Sequence, residues 1–303
     1  MLAIITCSED VTTDMLLPFL SEIEVFRFDI NRWQEYAWDF SPSGFEVESE
    51  CGQYFNSDIL KQIYLRKPIF FSPLNIPAEG SFENWCRCEI ERIWRDLYYE
   101  YCEKGKAVLV HPGNGKWYKP AQMRLAQKYF KVPEWHILMR SIPASLGNGD
   151  WVAKTLTQEK IGDNRMLFVK KVDVRKLNLN FPWFLQRKVD AEFDVTVLYV
   201  NGHLFAFELE RALFDGEDCR MSLQNSRLWR KSELTALETK SVLSFMNDTG
   251  LSFGRLDFLR TGGELHFLEL NPNGQWAWLD EKYENGIFQC VADEILKAYH
   301  AKK

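Results

Sequence analysis

The sequence predicts a mixed α/β (α+β) chain with more than one folding unit, and three observations carry that prediction. Short apolar runs such as residues 2–6 and 24–28 alternate with stretches of helical period, the pattern of strands interleaved with helices. Asn201-Gly202 stands between two alternating runs, 195–200 and 203–209, where a tight hairpin needs residues that accept positive φ. At 303 residues the chain exceeds the size at which one core keeps growing, so about two or three subdomains are expected.

In chain order, residues 2–6, 14–20 and 24–28 read as strand, helix and strand of a small α/β unit with a parallel pair. Residues 45–47 and 62–64 are short strands, and Pro68, Pro73, Pro77 and Gly80 mark an irregular connection. Ile90, Ile93, Trp94 and Leu97 recur at three- and four-residue spacings, so residues 82–104 form an amphipathic helix capped by Ser81. A second unit begins near Val108. Pro120 suits the first turn of a helix whose stripe is Met123, Ala126, Tyr129 and Phe130 and which stops before Pro133. Strands are expected at 135–139, 151–156, 166–169 and 183–189. After the hairpin, a helix over 231–249 ends at Gly250, and strands 252–259 and 264–270 flank Thr261-Gly262-Gly263.

Composition limits the functions available. A formal charge of −6 and a pI of about 5.6 argue against a sequence-independent grip on nucleic acid, which needs a dense basic face. No run of 18 apolar residues appears, and the amino terminus lacks a basic n-region, so no membrane partner and a cytoplasmic location are expected. The seven cysteines form no CxxC pair and are expected as free thiols. The five histidines show no ligand spacing, with only His266 near a candidate site. No Gly-x-Ser-x-Gly elbow and no Gly-x-x-x-x-Gly-Lys loop is present.

The strongest chemical signal is the closing pair of strands, Gly254-Arg-Leu-Asp257-Phe-Leu259 and Phe267-Leu-Glu269-Leu-Asn271-Pro-Asn-Gly-Gln-Trp276. In a hairpin Asp257 and Glu269 can face one side, and Asn271, two residues on, shares it. Three oxygen donors then converge in the way Mg2+ requires. Both carboxylates sit within apolar strands, where uncompensated charge is costly; solvated charges on an exposed face are the alternative.

With Asp257, the Glu269-Leu-Asn271 spacing and the Pro-Asn-Gly-Gln-Trp tail, the chain resembles ATP-grasp ligases, specifically the graspetide synthetases that cyclise microviridin-like peptides. The opening Val25-Phe-Arg-Phe-Asp29 resembles the family's pre-ATP-grasp domain, and Tyr118-Lys-Pro-Ala-Gln-Met-Arg-Leu-Ala126 its first grasp helix. The resemblance implies an N-terminal pre-ATP-grasp domain over 1–107, a central ATP-grasp subdomain over 108–190, and a C-terminal subdomain with the metal site over 191–303. It implies ATP and Mg2+ as cofactors, with Asp257, Glu269 and Asn271 on the metal. Lys154, Lys119 and Arg220 match the cations that hold the triphosphate, Lys154 and Arg220 acting in catalysis. Arg220 lies in Asp218-Cys-Arg, where the family has Asp-Trp-Arg. Adenine would lie against 185–189, with Gln186 at the base edge, Val189 beside it, and Asp190 or Glu192 on the ribose. The tryptophans Trp276 and Trp278 are expected to wall the acceptor site. Two departures stand out: Phe193-Asp194-Val-Thr replaces the family's Leu-Arg-Val-Thr, and the stretch 157–163 over the phosphates has a single glycine, Gly162.

The resemblance implies two steps: phosphorylation of a substrate carboxylate, then attack by a hydroxyl or amine. The expected partner is a precursor peptide with a leader segment, or another carboxylate or amine substrate, and the family's habit also admits a homodimer. An intermolecular ligase of the glutamate-adding type and a nucleotide-binding protein without ligase activity remain open as alternatives.

Overall fold

The structure, a computed structural model, describes residues 1–68, 77–109, 118–143, 146, 149–156, 169–214 and 228–301. Its contacts divide the chain into two compact units. The first comprises Met1–Gly113, Leu251–Phe253 and Asn273–Lys303; the second comprises Asn114–Gly250 and Gly254–Pro272.

The first unit grows from β1 (Leu2–Thr6), whose five residues are all buried, as expected of a strand covered on both faces. After the short helix α1 (Val11–Leu16) comes β2 (Val25–Asp29), which pairs with β1 in parallel. A separate antiparallel meander follows: β3 (Tyr36–Ser41), β4 (Gly44–Ser49) and β5 (Tyr54–Asn56). The chain then returns to the parallel sheet with β6 (Gln62–Leu65) beside β1. Helix α2 (Phe82–Glu103) starts at Ser81, whose hydroxyl accepts from the Asn84 N–H at 3.2 Å, a side-chain N-cap. Its stripe of Ile90, Trp94, Leu97, Tyr98 and Tyr101 packs on Ile5, Phe26, Phe28 and Ile63 in the core. The short strand β7 (Ala107–Val108) completes the sheet order β2-β1-β6-β7. The last helix, Ile287–His300, is capped at a distance by buried Asp280, which accepts from the N–H groups of Ile287 and Phe288 at 2.7 and 3.1 Å.

A buried polar knot holds the carboxyl side of this sheet. Arg66, directly after β6, is fully buried and 3.8 Å from the Asp10 carboxylate. It donates to the Asn273 Oδ1 at 2.7 Å and the Gln275 Oε1 at 2.7 Å, and to the backbone oxygens of Asn273 and Gly274. Asp10 in turn accepts from the Thr6 and Thr13 hydroxyls. A buried charge persists only with this kind of partnering.

The second unit carries α3 (Lys119–Ala126), then an antiparallel sheet of β8 (Trp135–Leu138), β9 (Trp151–Lys154), β10 (Lys170–Val172) and β11 (Trp183–Arg187) in the order β10-β9-β11-β8. Helix α3 ends at Ala126, so Tyr129 and Phe130 lie beyond it, each ring packing on Phe245. The expected strand 183–189 ends at Arg187. That over 166–169 falls mostly outside the described residues.

A larger sheet follows: β12 (Phe193–Val200), β13 (His203–Glu210), β14 (Arg230–Lys231), β15 (Phe253–Thr261) and β16 (Glu264–Asn271), ordered β14-β13-β12-β15-β16. Asn201 and Gly202 take φ of 44° and 100°, the doubly positive turn the dipeptide predicts. Helix α4 (Ala236–Thr249) begins five residues later than expected, at a reciprocal capping box of Thr235 and Glu238, and ends at Gly250 with φ 70°. Lys231 belongs to a strand instead. The six described cysteines are free, and among the described residues no helix is long and apolar enough to cross a membrane.

Candidate functional site: a carboxylate–amide cluster on the second unit

The closing hairpin sets the site. Asp257 on β15 stands directly across from Glu269 on β16, and Arg255 across from Asn271. A register shift between Asp257 and Phe258 breaks the regular alternation there, as bulges do next to sites that re-aim a side chain. The Asn271 amide bridges the two carboxylates, with Nδ2 at 3.1 Å from Asp257 Oδ2 and 3.2 Å from Glu269 Oε1. The three expected donors therefore do converge. Gly254 belongs to this packing, because a Cβ there would come within 2.6 Å of Leu270 Cδ1.

Positive charge surrounds the cluster. Lys119, at the start of α3, places Nζ 3.1 Å from Glu269 Oε2 and donates to the Thr155 backbone oxygen at 3.0 Å. Burial acts to raise the Glu269 carboxyl, but the charges of Lys119 and Lys154 and the hydrogen bonds from Lys119 and Asn271 outweigh it, lowering the pKa to about 2. Glu269 is thus an anion at neutral pH. Lys154, at the end of β9, acts on it through its charge.

Three further residues belong here that the sequence reading did not select. Arg255 grips Asp257 with a forked pair, Nε to Oδ1 at 3.2 Å and Nη2 to Oδ2 at 3.0 Å. Thr196 on β12 donates to Asp257 Oδ1 at 2.9 Å. Gln122 on α3 is buried and works as an artificial strand partner: its amide donates to the Leu270 backbone oxygen at 2.8 Å and accepts from the Leu270 N–H at 3.0 Å. This pair of hydrogen bonds falls between Glu269 and Asn271 and ties the helix that carries Lys119 to the strand that carries the expected ligands. A glutamine one turn after Lys119, within an apolar stripe, was the available signal.

Other expected residues lie elsewhere. Gln186 is buried and directs its amide to Met123 Sδ at 3.6 Å, because β11 is an inner strand and its side chains fill the core. Val189 follows β11 in the connection to β12. Asp190 is exposed and 3.3 Å from Lys188. Glu192 turns toward the β15–β16 turn, accepting from the Gly262 N–H at 3.4 Å. Arg220, with Asp218 and Cys219, lies outside the described residues, as do 157–163, Met166 and His111. His266 is partly buried on β16, which lowers its pKa, and takes no part in the cluster. Trp276, expected to wall the acceptor site, is instead fully buried with its ring against Phe288 in the first unit, so no face of it is open to a substrate. Trp278 bonds its indole N–H to the Gln275 backbone oxygen at 3.2 Å.

The donor set suits a hard divalent cation: two anionic carboxylates and an amide that presents oxygen once turned. Lys119 and Arg255 supply the compensating charge that such a cation would bring.

Whole-chain comparison gives the architecture. The macrocyclase MdnC of Microcystis aeruginosa MRC, in a structure bound with precursor peptide MdnA, superposes with a TM-score of 0.80 at 20% identity, over 98% of this chain and 99% of that one. A RiPP-associated ATP-grasp ligase of Chryseobacterium gregarium, in complex with ADP and a leader and core peptide, gives 0.78 at 20% identity, covering 98% and 96%. The chain has the ATP-grasp fold. A more distant likeness, D-alanine–D-alanine ligase of Bacillus anthracis complexed with ATP, gives 0.59 at 12% identity over 98% and 96% of the chains. No family model and no curated protein matches the sequence.

Proposed function

We propose that this chain is an ATP- and Mg2+-dependent carboxylate ligase acting through an acyl phosphate, and that it closes ω-ester or ω-amide links within a ribosomal precursor peptide. The observation that carries the reading is the convergence of Asp257, Glu269 and Asn271 beside Lys119 on an ATP-grasp scaffold. Two similar structures hold a precursor peptide, or a leader and core peptide, which supports a peptide as the substrate. A boundary at 190/191 belongs to the proposal, supported by the separate sheets on either side of it; the first boundary is proposed at 107/108, and residues 273–303 of the expected C-terminal subdomain pack instead with the first unit.

Asp257, Glu269 and Asn271 would hold Mg2+, which supplies charge neutralisation along the triphosphate. Lys119 and Lys154 would leave their compensation of Glu269 to hold phosphate oxygens, together with Arg220. Gln186 and Val189 are assigned to the adenine side and Asp190 or Glu192 to the ribose. A substrate carboxylate oxygen attacks the γ-phosphorus and ADP leaves; a hydroxyl or amine then attacks the acyl carbon, loses its proton and expels phosphate. The protein positions groups and balances charge, as in phosphoryl transfer generally. With a peptide made in the cytoplasm as substrate, the enzyme would act there.

The test incubates the protein with Mg-ATP and candidate precursor peptides, each a leader segment followed by repeated Thr and Asp/Glu, drawn from short reading frames sought beside its gene. Loss of one water per ring, matched by ADP, supports the macrocyclase. Condensation only with a second molecule makes it an intermolecular ligase, and nucleotide binding without any condensation refutes ligase activity.

A further inference from the structure

The two oxygens of Asp257 are held differently. Oδ2 accepts from the Asn271 amide at 3.1 Å and from Arg255 Nη2 at 3.0 Å. Oδ1 accepts from the Thr196 hydroxyl at 2.9 Å and from Arg255 Nε at 3.2 Å. Each oxygen of a carboxylate has two lone-pair sites, so all four are used. Turning the Asn271 amide to present its oxygen to a cation withdraws a donor from Oδ2. It withdraws none from Oδ1.

Thr196 is the donor least able to leave. It is 1% exposed and lies in the body of β12, an inner strand between β13 and β15, with Phe207 across from it. A β-branched side chain set in a ladder has little freedom at χ1, and a second acceptor for the hydroxyl, the Leu256 backbone oxygen, stands at 3.5 Å. Asp194, two residues earlier and on the same face of β12, is taken up by Arg211 at 3.0 Å, so Asp257 is the carboxylate that this hydroxyl serves.

The number of oxygens a carboxylate offers decides which cation it suits. Mg2+ demands near-octahedral geometry at about 2.0–2.1 Å, which the narrow bite of a carboxylate using both oxygens does not fit. Ca2+ takes about 6–8 oxygens at about 2.3–2.6 Å and accepts a carboxylate through both. We propose that Thr196 keeps Asp257 Oδ1 out of the coordination shell, so that Asp257 meets the cation through Oδ2 alone and the cluster selects Mg2+ over Ca2+. This rests on the ligase reading above and adds to it a positioning residue that acts through Asp257 and sets which ion is accepted.

Calorimetric titration of the full chain with Mg-AMPPNP and with Ca-AMPPNP tests it. Wild type should bind the Mg2+ complex more tightly; binding neither would refute the ligase reading itself, whatever Thr196 does. Thr196→Val keeps the shape of the side chain and removes the donor, which releases Oδ1 to the larger ion. The Kd for Ca-AMPPNP divided by that for Mg-AMPPNP should then fall about fivefold or more, near the scale on which groups that orient a metal ligand alter affinity. Thr196→Ser retains the hydroxyl and should keep the wild-type ratio within about twofold. No preference for Mg2+ in wild type, an unchanged ratio in Thr196→Val, an equal loss for both complexes, or a shift in Thr196→Ser as large as in Thr196→Val overturns the proposal, since a merely structural threonine would not move the ratio. Should Thr196→Val fail to fold, Thr196→Cys, whose thiol is a weak donor, is read in its place, and an unchanged ratio there overturns the proposal.

Discussion

Replacing Glu269 by glutamine keeps the shape of the side chain and removes its charge, and the consequence can be worked from the structure. The carboxyl is lowered from the ordinary 4.5 to about 2, with Lys119 at 3.1 Å the leading cause that favours the anion. At about 1.36 kcal/mol per pKa unit, the folded state favours the ionised form by about 3 kcal/mol. Both partners keep about a quarter of their side chains in water, so screening reduces this to about 2 kcal/mol. Because the folded pKa is depressed, this stabilisation is complete above the unfolded value and is lost as pH falls toward about 2. Glu269→Gln should therefore be less stable than wild type by about 2 kcal/mol at neutral pH, and the gap should narrow as pH falls below about 4.5. Urea unfolding of both proteins at about pH 7 and about pH 3.5 reads it directly. Equal stability at neutral pH, or a gap that widens on acidification, would refute the assignment of Lys119 as the partner that holds this carboxylate ionised.

Mg-ATP at about 100 times its dissociation constant should stabilise the fold by about 2.7 kcal/mol, and Lys154→Ala should diminish the rise in melting temperature; an undiminished rise removes Lys154 from the phosphate site. Arg66→Met strands Asp10 and deprives the Asn273–Gln275 loop of its donors, so it should cost about 3–5 kcal/mol in urea unfolding; a cost below about 1 kcal/mol contradicts the buried knot. Trp276→Ala should cost about 3–5 kcal/mol as a core deletion, whereas a neutral effect would return Trp276 to the surface.

Much of the site was legible because it is local. Asp257, Glu269 and Asn271 lie on one hairpin, and a period of two with a Gly-Gly turn is enough to bring them to one side. Ser81, the Asn201-Gly202 turn and Gly250 were legible for the same reason: each is decided by its own backbone. What stayed hidden depends on tertiary register. Thr196 meets Asp257 only because β12 lies beside β15, and Gln122 bonds Leu270 only because α3 packs on β16. Arg255 could have been read, since it shares a face with Asp257, but an arginine beside a carboxylate in sequence looks like an ordinary surface pair. The late start of α4 was a misreading of available information: Thr235-x-x-Glu238 is a capping box, and helical period alone ran past it to Lys231. Trp276 was placed by its nearness in sequence to the metal strand, while burial against Phe288 decided its role.

The central claim is that a carboxylate is activated as an acyl phosphate at the Asp257, Glu269 and Asn271 cluster. The most direct measurement uses a precursor peptide that the protein condenses, with heavy oxygen in its Asp and Glu carboxylates, and follows the phosphate released with Mg-ATP by mass spectrometry. The account predicts one heavy oxygen in each phosphate released, since the acyl phosphate carries a carboxylate oxygen away with it, and no such transfer in Glu269→Gln. Phosphate free of label, with ring closure still proceeding, would contradict it.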